Sequence, residues 1–364
     1  MKKKLSMLLA ALLVASTTLL GACGSSAQTA GSQSAPASSQ SAAESSQGAS
    51  EAPSSATGKN AEDYKIVLLL PGPINDQSWN ATNYAGLEAC NQNLGTKMEY
   101  VENVQASDFE STLREYAERG YDLVMAAGSQ FDEAVANVAP NYKDTTFCVV
   151  NGSKCDGDNV APIFPKEYEA SYLASIIAGN VTTNGSFATI GGFPNEPMEH
   201  LMDVYETNAV AIAKERGIAD SKATRAYANS WDDVALGKQM AEQMIDNGAD
   251  TLFVYANEVG LGSIEAAKQK GAKVIGFSSD QTTIDPNTVV ASVVFDFETF
   301  YVWSIMQYMD GTLTGNTVHE AGINEDIFKP VYTDSISQET KDAVDAGIQN
   351  FKDGKVDLKA MFAK

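Results

Sequence analysis

The sequence predicts an α/β protein in which two doubly wound parallel-sheet lobes enclose a ligand cleft. From about residue 62 onward, short apolar runs typical of strands alternate with amphipathic stretches typical of helices. Such alternation indicates parallel sheets with helices on both faces. This part of the chain has about three hundred residues, which is more than one hydrophobic core usually supports. We therefore expect two lobes.

Nine apolar runs predict the strands, with four strand–helix units in each lobe. The stretch Ala235–Asn247 exemplifies the intervening helices. Leu236, Met240 and Met244 recur there on one helical stripe, and a glycine then ends the helix. The predicted strands are Lys65–Leu70, Met98–Val104, Asp122–Ala127, Thr146–Val150, Ser186–Gly191, Ala223–Ala228, Thr251–Tyr255, Lys273–Phe277 and Val289–Phe295.

The N-terminus carries the pattern of a bacterial lipoprotein signal peptide over residues 1–22. Three lysines at positions 2–4 precede the apolar stretch from Leu8 to Leu20, which ends in Leu20-Gly21-Ala22-Cys23. Small residues before a cysteine form a lipobox, in which the thiol receives a lipid and two or three acyl chains make a stable anchor. The sequence therefore predicts lipidation of Cys23 and attachment to the extracytoplasmic face of the cell membrane.

Residues 23–60 predict a disordered tether between this anchor and the folded part. The segment after the cysteine consists almost entirely of Ser, Ala, Gln, Gly and Pro, so it cannot bury enough apolar surface to offset its chain entropy. The first lobe is expected over residues 61–165 plus about 296–325. The second is expected over residues 166–295 plus about 326–364.

Charge and composition exclude several classes of function. The chain has 25 basic and 47 acidic residues, a formal charge of −22, whereas a nucleic-acid-binding surface needs clustered Lys and Arg. Besides Cys23 there are three cysteines, Cys90, Cys148 and Cys155, with no CxxC spacing, so neither a disulfide framework nor a metal site is expected. Cys148 lies in an apolar run and is expected in the core.

No catalytic constellation is evident. The two histidines, His200 and His319, lie far apart and near no Ser or Cys motif, and an enzyme needs a positioned acid, base or nucleophile. We expect no enzymatic activity and no cofactor.

Candidate ligand-binding residues follow the predicted strands, because ligands of doubly wound folds bind beyond the carboxyl ends of the strands. Two of the three tryptophans, Trp79 and Trp231, lie at such positions, one in each lobe. A planar ligand between their rings is the resulting hypothesis, although Asp76, Asp232 and Asp280 fit helix caps equally well. The full candidate set is Asp76, Trp79, Asn80, Gln130, Glu133, Trp231, Asp232, Asn257, Ser278 and Asp280.

The same loops resemble a known family. Asp76-Gln77-Ser78-Trp79-Asn80 is similar to the D-x-S-F-N signature of the basic membrane protein family of substrate-binding lipoproteins, which includes purine nucleoside receptors of bacterial ABC importers. The resemblance covers about residues 62–364 and implies a type I periplasmic-binding-protein fold. Further matches are Gly128 with Phe131 through Ala139, Ala170-Ser171-Tyr172-Leu173-Ala174, Gly191-Gly192, Ser230-Trp231-Asp232-Asp233 with Gly237, Gly248-Ala249-Asp250, Gly260-Leu261-Gly262 with Ala266-Ala267, and Ile275-Gly276 before Asp280-Gln281.

The resemblance implies roles for five positions. The two stacking aromatics of the family, normally Phe, fall on Trp79 and Trp231. Asn80 matches a polar position beside the base, and Glu133 falls where the family often has an Asp facing the base edge. Asn257 falls on a glycine of the family's Gly-Gly-Thr-Gly loop. A purine-type ligand is expected, with ABC permease subunits as partners.

Two departures from the family concern the ribose. The family's ribose carboxylate aligns with Ser278, and the lysine after its last cleft strand aligns with Phe295. The stacking pair is kept while both charged partners of the sugar are replaced, so the ligand is expected to be a purine nucleobase or nucleoside, with the free base bound at least as tightly. The alternatives are a ligand-sensing surface lipoprotein that signals to a membrane kinase, and a binder of another small heteroaromatic or a sugar.

Overall fold

Two six-stranded sheets organise the folded part of the protein. The computed structural model describes residues 58–76 and 79–363. The predicted signal peptide, the lipidation site Cys23 and residues 24–57 of the predicted tether lie outside these ranges. Among the described residues, no helix is long and apolar enough to span a bilayer.

All strands of the first sheet run parallel, in the order β11-β5-β4-β3-β1-β2. Its strands fall within the two segments predicted for the first lobe, while the exact lobe boundaries stay a prediction. The strands are β1 (Ile66–Leu69), β2 (Glu99–Val101), β3 (Leu123–Ala127), β4 (Thr146–Val150), β5 (Ile163–Pro165) and β11 (His319–Ala321).

The second sheet has the order β12-β10-β9-β8-β6-β7 and is parallel except at one edge, where β12 runs antiparallel to β10. Pro330 lies in this edge strand, a position where a missing N–H is tolerated. The strands are β6 (Ser186–Gly191), β7 (Lys222–Tyr227), β8 (Thr251–Tyr255), β9 (Lys273–Ser278), β10 (Val289–Phe295) and β12 (Phe328–Tyr332).

Helices connect the strands, as the alternating pattern predicts. The predicted helix at 235–247 is present one residue earlier, and the carboxylate of Asp233 begins it by accepting a hydrogen bond from the backbone N–H of Leu236 at 2.9 Å. The helices are α1 (Trp79–Leu94), α2 (Phe109–Glu118), α3 (Asp132–Val138), α4 (Glu167–Val181), α5 (Glu196–Glu215), α6 (Val234–Asp246), α7 (Asn257–Lys270), α8 (Phe297–Met309) and α9 (Gln338–Lys352).

The predicted α/β fold with two sheets is confirmed, and all nine predicted strands are present. The expected core position of Cys148 is also confirmed, since this residue is fully buried. Three strands were missed. Strands β5 and β11 have only three residues each, too few for an apolar pattern, and β12 is interrupted by Lys329 and Pro330.

The chain passes between the two sheets three times, at residues 165–167, 295–297 and 321–328. Two of these crossings are tied directly together, because the backbone N–H of Asp296 donates to the carbonyl of Ile327 at 2.8 Å. We call this region the junction. It joins the two sheets on one side of the cleft described below.

A buried glutamate ties the first crossing of the junction to the third. Glu169, 1 % exposed, pairs with the ammonium of Lys166 at 2.7 Å and accepts a hydrogen bond from the backbone N–H of Ile323 at 2.7 Å. The backbone N–H of Lys166 in turn donates to the carbonyl of Ala321. Burial raises the pKa of Glu169, and its bonds to Lys166 and Ile323 oppose that rise. The first and third crossings are thus fixed to each other.

Helices α6 and α7 approach each other through two glycines. A Cβ atom at Gly262 would lie 1.9 Å from the carbonyl oxygen of Val234, and one at Gly237 would lie 2.1 Å from that of Val259. Both distances are far below van der Waals contact and both involve backbone. The close contact of these helices therefore requires glycine at both positions.

Candidate ligand-binding cleft

A cavity of about 360 Å³ lies where the carboxyl ends of strands from both sheets meet. This is the place at which doubly wound folds bind ligands. The first sheet contributes Val150 and Pro165 to its wall. The aromatic lining residues, which come from α1, β8, β10 and α8, are Trp79, Tyr255, Phe295, Phe297 and Phe300.

The polar lining is nearly free of charge. Among the described lining residues none is basic, and the one carboxylate belongs to Glu167. The polar side chains of the wall are Thr82, Asn151, Glu167, Asn257, Ser278 and Ser279. Aromatic faces combined with a few polar groups suit a small planar ligand with hydrogen-bonding edges.

Trp79 is the first residue of α1, and its ring is held in place. The indole Nε1–H donates to the carbonyl of Ala127 at 3.1 Å. The ring of Phe297 meets it edge to face, with centroids 5.7 Å apart and planes at 88°. Because these contacts fix the indole against the cavity, its face is oriented before any ligand binds.

Asp76 and Asn80 shape the loop before α1 and lie outside the cavity lining. The carboxylate of Asp76 accepts hydrogen bonds from the backbone N–H groups of Asn80 and Ala81 and from the Asn80 amide. The Asn80 carbonyl oxygen accepts from the backbone N–H of Gly72 at 3.0 Å. These bonds cap the helix and position Trp79 beside them. A direct ligand contact of either residue stays a prediction.

Gln130 and Glu133 are exposed and lie outside the lining. The carboxylate of Glu133 pairs with the ammonium of Lys154, and the Gln130 amide reaches the carbonyl of Ala127 at 3.5 Å. A direct ligand contact of either residue stays a prediction.

Trp231 and Asp232 lie beside the cavity on the second lobe. The Trp231 ring is 37 % exposed, with its centroid 5.6 Å from that of Phe193 and 6.3 Å from that of Tyr255. Asp232 is exposed and accepts a hydrogen bond from the hydroxyl of Ser230. On this side the cavity is lined by Tyr255, which is not among the predicted site residues.

Asn257 and Ser278, two of the predicted ligand-binding residues, line the cavity in left-handed backbone conformations, and their contact with a ligand stays a prediction. Their φ angles are 42° and 71°, values uncommon for residues other than glycine and frequent at functional sites. Asp280 lies outside the lining. Its carboxylate accepts hydrogen bonds from the backbone N–H and hydroxyl of Thr282, so it caps the short turn that follows.

Glu167 is the most unusual side chain of the cavity, and no local sequence pattern marks it as a site residue. It is the first residue of α4, directly after the first crossing of the junction. Its Oε1 accepts a hydrogen bond from the hydroxyl of Tyr255 at 2.7 Å. Burial raises the pKa of Glu167 to about 7, although the bond from Tyr255 opposes the rise.

No metal-binding site is evident in the described part of the chain. No group of three or more His, Cys, Asp or Glu side chains there is arranged to hold an ion. Cys90, Cys148 and Cys155 are free thiols.

Comparison with known proteins identifies the family. Residues 64–356 match the model of the Bmp family, described as "ABC transporter substrate-binding protein PnrA-like". The chain belongs to this family. It is therefore a substrate-binding protein of ABC-transporter type, and the suspected resemblance to the basic membrane proteins is confirmed. Proteins of the family bind small molecules outside the cytoplasm and deliver them to permease subunits, and the family is not one of enzymes.

Relatives of this Bmp-family chain include the ABC transporter nucleoside-binding protein BmpA of Lactococcus lactis subsp. cremoris. It is 26 % identical over 330 residues, which cover 83 % of this chain and 91 % of the relative. A purine-binding protein of Brucella abortus is 24 % identical over 254 residues, covering 69 % of this chain and 70 % of the relative. The solute-binding protein of an ABC transporter system from Aeropyrum pernix has the same fold, with a TM-score of 0.63 at 20 % identity over 81 % of this chain and 92 % of that one.

Proposed function

We propose that the protein captures a purine-type ligand, a nucleobase or nucleoside, in the cleft between its two lobes and delivers it to an ABC importer. The observation that carries this proposal is the fixed Trp79 ring at a cavity with four further aromatic residues and neutral polar groups. A flat heteroaromatic ring would stack on the indole while the amides and hydroxyls bond its edge. The two relatives named for nucleoside and purine binding support the same ligand class.

Closure would follow from contacts on both lobes. Trp79 belongs to a helix packed on α8, whereas Tyr255 and Ser278 end strands of the second sheet. A ligand that touches both sides stabilises the closed state to the extent that these contacts exist only when the lobes are closed. The permease would then recognise the surface created by closure.

We expect a free base to bind in the cavity at least as tightly as its ribonucleoside. Ser278 and Ser279 offer only hydroxyls, Phe295 fills part of the wall, and the carboxylate of Asp280 is engaged with Thr282. The charged groups with which the family bonds a ribose are thus absent at both of these positions, and a sugar would find weaker partners there. The departures from the family at Ser278 and Phe295 thus both favour binding of the free base.

Parallel titration calorimetry with adenine, guanine and hypoxanthine and with their ribonucleosides tests this preference. We expect each base to bind at least as tightly as its nucleoside. A nucleoside preference of tenfold or more that disappears in Asp280→Ala would show that Asp280 contacts the sugar and would contradict the expectation. Absence of binding by all six compounds would contradict the purine proposal itself.

Anchoring through Cys23 is proposed from the lipobox Leu20-Gly21-Ala22-Cys23. We expect Cys23→Ser to abolish palmitate labelling and to release the protein from the membrane fraction, because the lipobox then has no thiol to receive a lipid. Cys155→Ser is the matched control, since it removes a different non-core cysteine and should change neither result. Labelling and membrane retention of Cys23→Ser at the wild-type level would exclude the anchor.

A further inference from the structure

The described lining of the cavity contains one acidic side chain and no basic side chain to balance it. Among the described residues that line it, only Glu167 and Tyr255 have titratable side chains, and no Lys, Arg or His faces the carboxyl across the cavity. Lys166, the nearest cation along the chain, is already paired with Glu169 in the junction. A ligand enclosed here therefore meets a carboxyl group that no protein cation neutralises.

The protein uses only one of the two oxygens of this carboxyl. Tyr255 donates to Oε1, and it is the only hydrogen-bond partner of Glu167 among the described residues. A carboxylate accepts bonds at both oxygens, so the second oxygen is available to a ligand. Its position is fixed, because the residue begins a helix at the junction and its first oxygen is held.

We infer that Glu167 determines ligand specificity by accepting a hydrogen bond from the exocyclic amino group of an amino-substituted heteroaromatic base. This inference rests on the proposed function and assigns one group of the same cavity. An amino-heteroaromatic offers the donors that the carboxylate lacks, whereas a ring bearing only acceptors leaves the oxygen unpaired at a cost in affinity. Anionic ligands such as nucleotides are disfavoured by the same unneutralised charge.

Protonation provides an independent readout. The pKa of Glu167 is about 7, so about one-tenth of the carboxyl is ionised at pH 6 and about nine-tenths at pH 8. A donor ligand prefers the ionised form, which means that binding strengthens as pH rises through this range, by about tenfold in total. Tyr255, the other titratable lining group, stays protonated because burial raises its pKa well above the usual range.

The experiment is titration calorimetry of the wild type and Glu167→Gln with adenine and 6-methylpurine, which differ at one exocyclic group, between pH 6 and pH 8. We expect the wild type to bind adenine at least tenfold more tightly than 6-methylpurine at pH 8. We expect its adenine affinity to drop about tenfold by pH 6. Glu167→Gln should lose both the preference and the pH dependence while still binding 6-methylpurine.

Two further variants separate this role from a structural one. Glu215→Gln replaces an exposed glutamate of α5 and should behave as wild type. Tyr255→Phe removes a hydrogen bond that lowers the pKa of Glu167, so the midpoint of the pH dependence should move upward.

Binding by the wild type that is independent of pH and unchanged in Glu167→Gln would overturn the inference and leave the proposed function standing. An affinity that rises toward low pH would also overturn it, since the carboxyl would then be the donor. If neither compound binds the wild type at any pH, the proposed function fails as well.

Discussion

Replacement of Trp79 by alanine is expected to weaken purine binding by about 1–3 kcal/mol, the range that alanine substitution gives for the stacking of a base on an aromatic ring. The indole is fixed by its bond to Ala127 and by the edge of Phe297, so its face is available without a rearrangement. Titration calorimetry with adenine measures the loss. Trp79→Phe should recover most of the affinity, since a ring is retained at the same helix position.

Trp231→Ala is expected to have a smaller effect than Trp79→Ala, because Tyr255, and not Trp231, forms the cavity wall on the second lobe. Trp303→Phe, in α8 and outside the cavity lining, serves as the control for both variants. Equal losses for the two alanine variants would show instead that the two indoles sandwich the ligand. Wild-type affinity in Trp79→Ala would exclude stacking on this residue.

Gly262→Ala is expected to destabilise the protein severely, by about 3 kcal/mol or more. The added methyl group would lie 1.9 Å from the carbonyl oxygen of Val234, so α6 and α7 would have to separate. Overpacking typically costs about 1–3 kcal/mol and occasionally more, and a clash with backbone belongs at the upper end because backbone cannot rotate away. The midpoint of urea unfolding measures the effect.

Gly260→Ala, two residues earlier in the same helix, is the matched control. Its Cβ would lie 3.7 Å from the nearest atom, a side-chain carbon of Val254, so the substitution gains helix propensity of up to about 1 kcal/mol without a clash. We expect this variant to be as stable as the wild type or more stable. Equal stability of the two variants would show that the helices adjust to the methyl group at no cost.

The strands and the general position of the cleft could be predicted from the sequence, because apolar runs and helix-ending glycines are local signals. Trp79, Asn257 and Ser278 line the cavity for this reason. Which way a side chain faces after the strand ends depends on the turn that follows. Asp76 faces its own helix and caps it, and a sequence pattern fits the cap and the ligand contact equally well.

The positions of Glu167 and Tyr255 in the cavity wall could not be predicted from the sequence, for different reasons. Glu167 follows a three-residue strand that has no recognisable pattern and that pairs only within the folded sheet. Tyr255 is the last residue of a predicted strand, so the sequence pattern indicates a sheet residue and not a residue of the cavity wall. That its hydroxyl meets Glu167 depends on packing between residues 88 positions apart.

The three crossings of the junction also govern the order in which the chain can fold. Strand β11 completes the first sheet and β12 the second, and both lie close to the carboxyl end of the chain. Neither sheet is therefore complete before these two edge strands have paired. The pairing of β11 with β5 joins residues distant in sequence, such as His319 and Ile163, and contacts of this kind form slowly because loop closure precedes the gain from pairing. We therefore expect β11 to be among the last elements to join the first sheet.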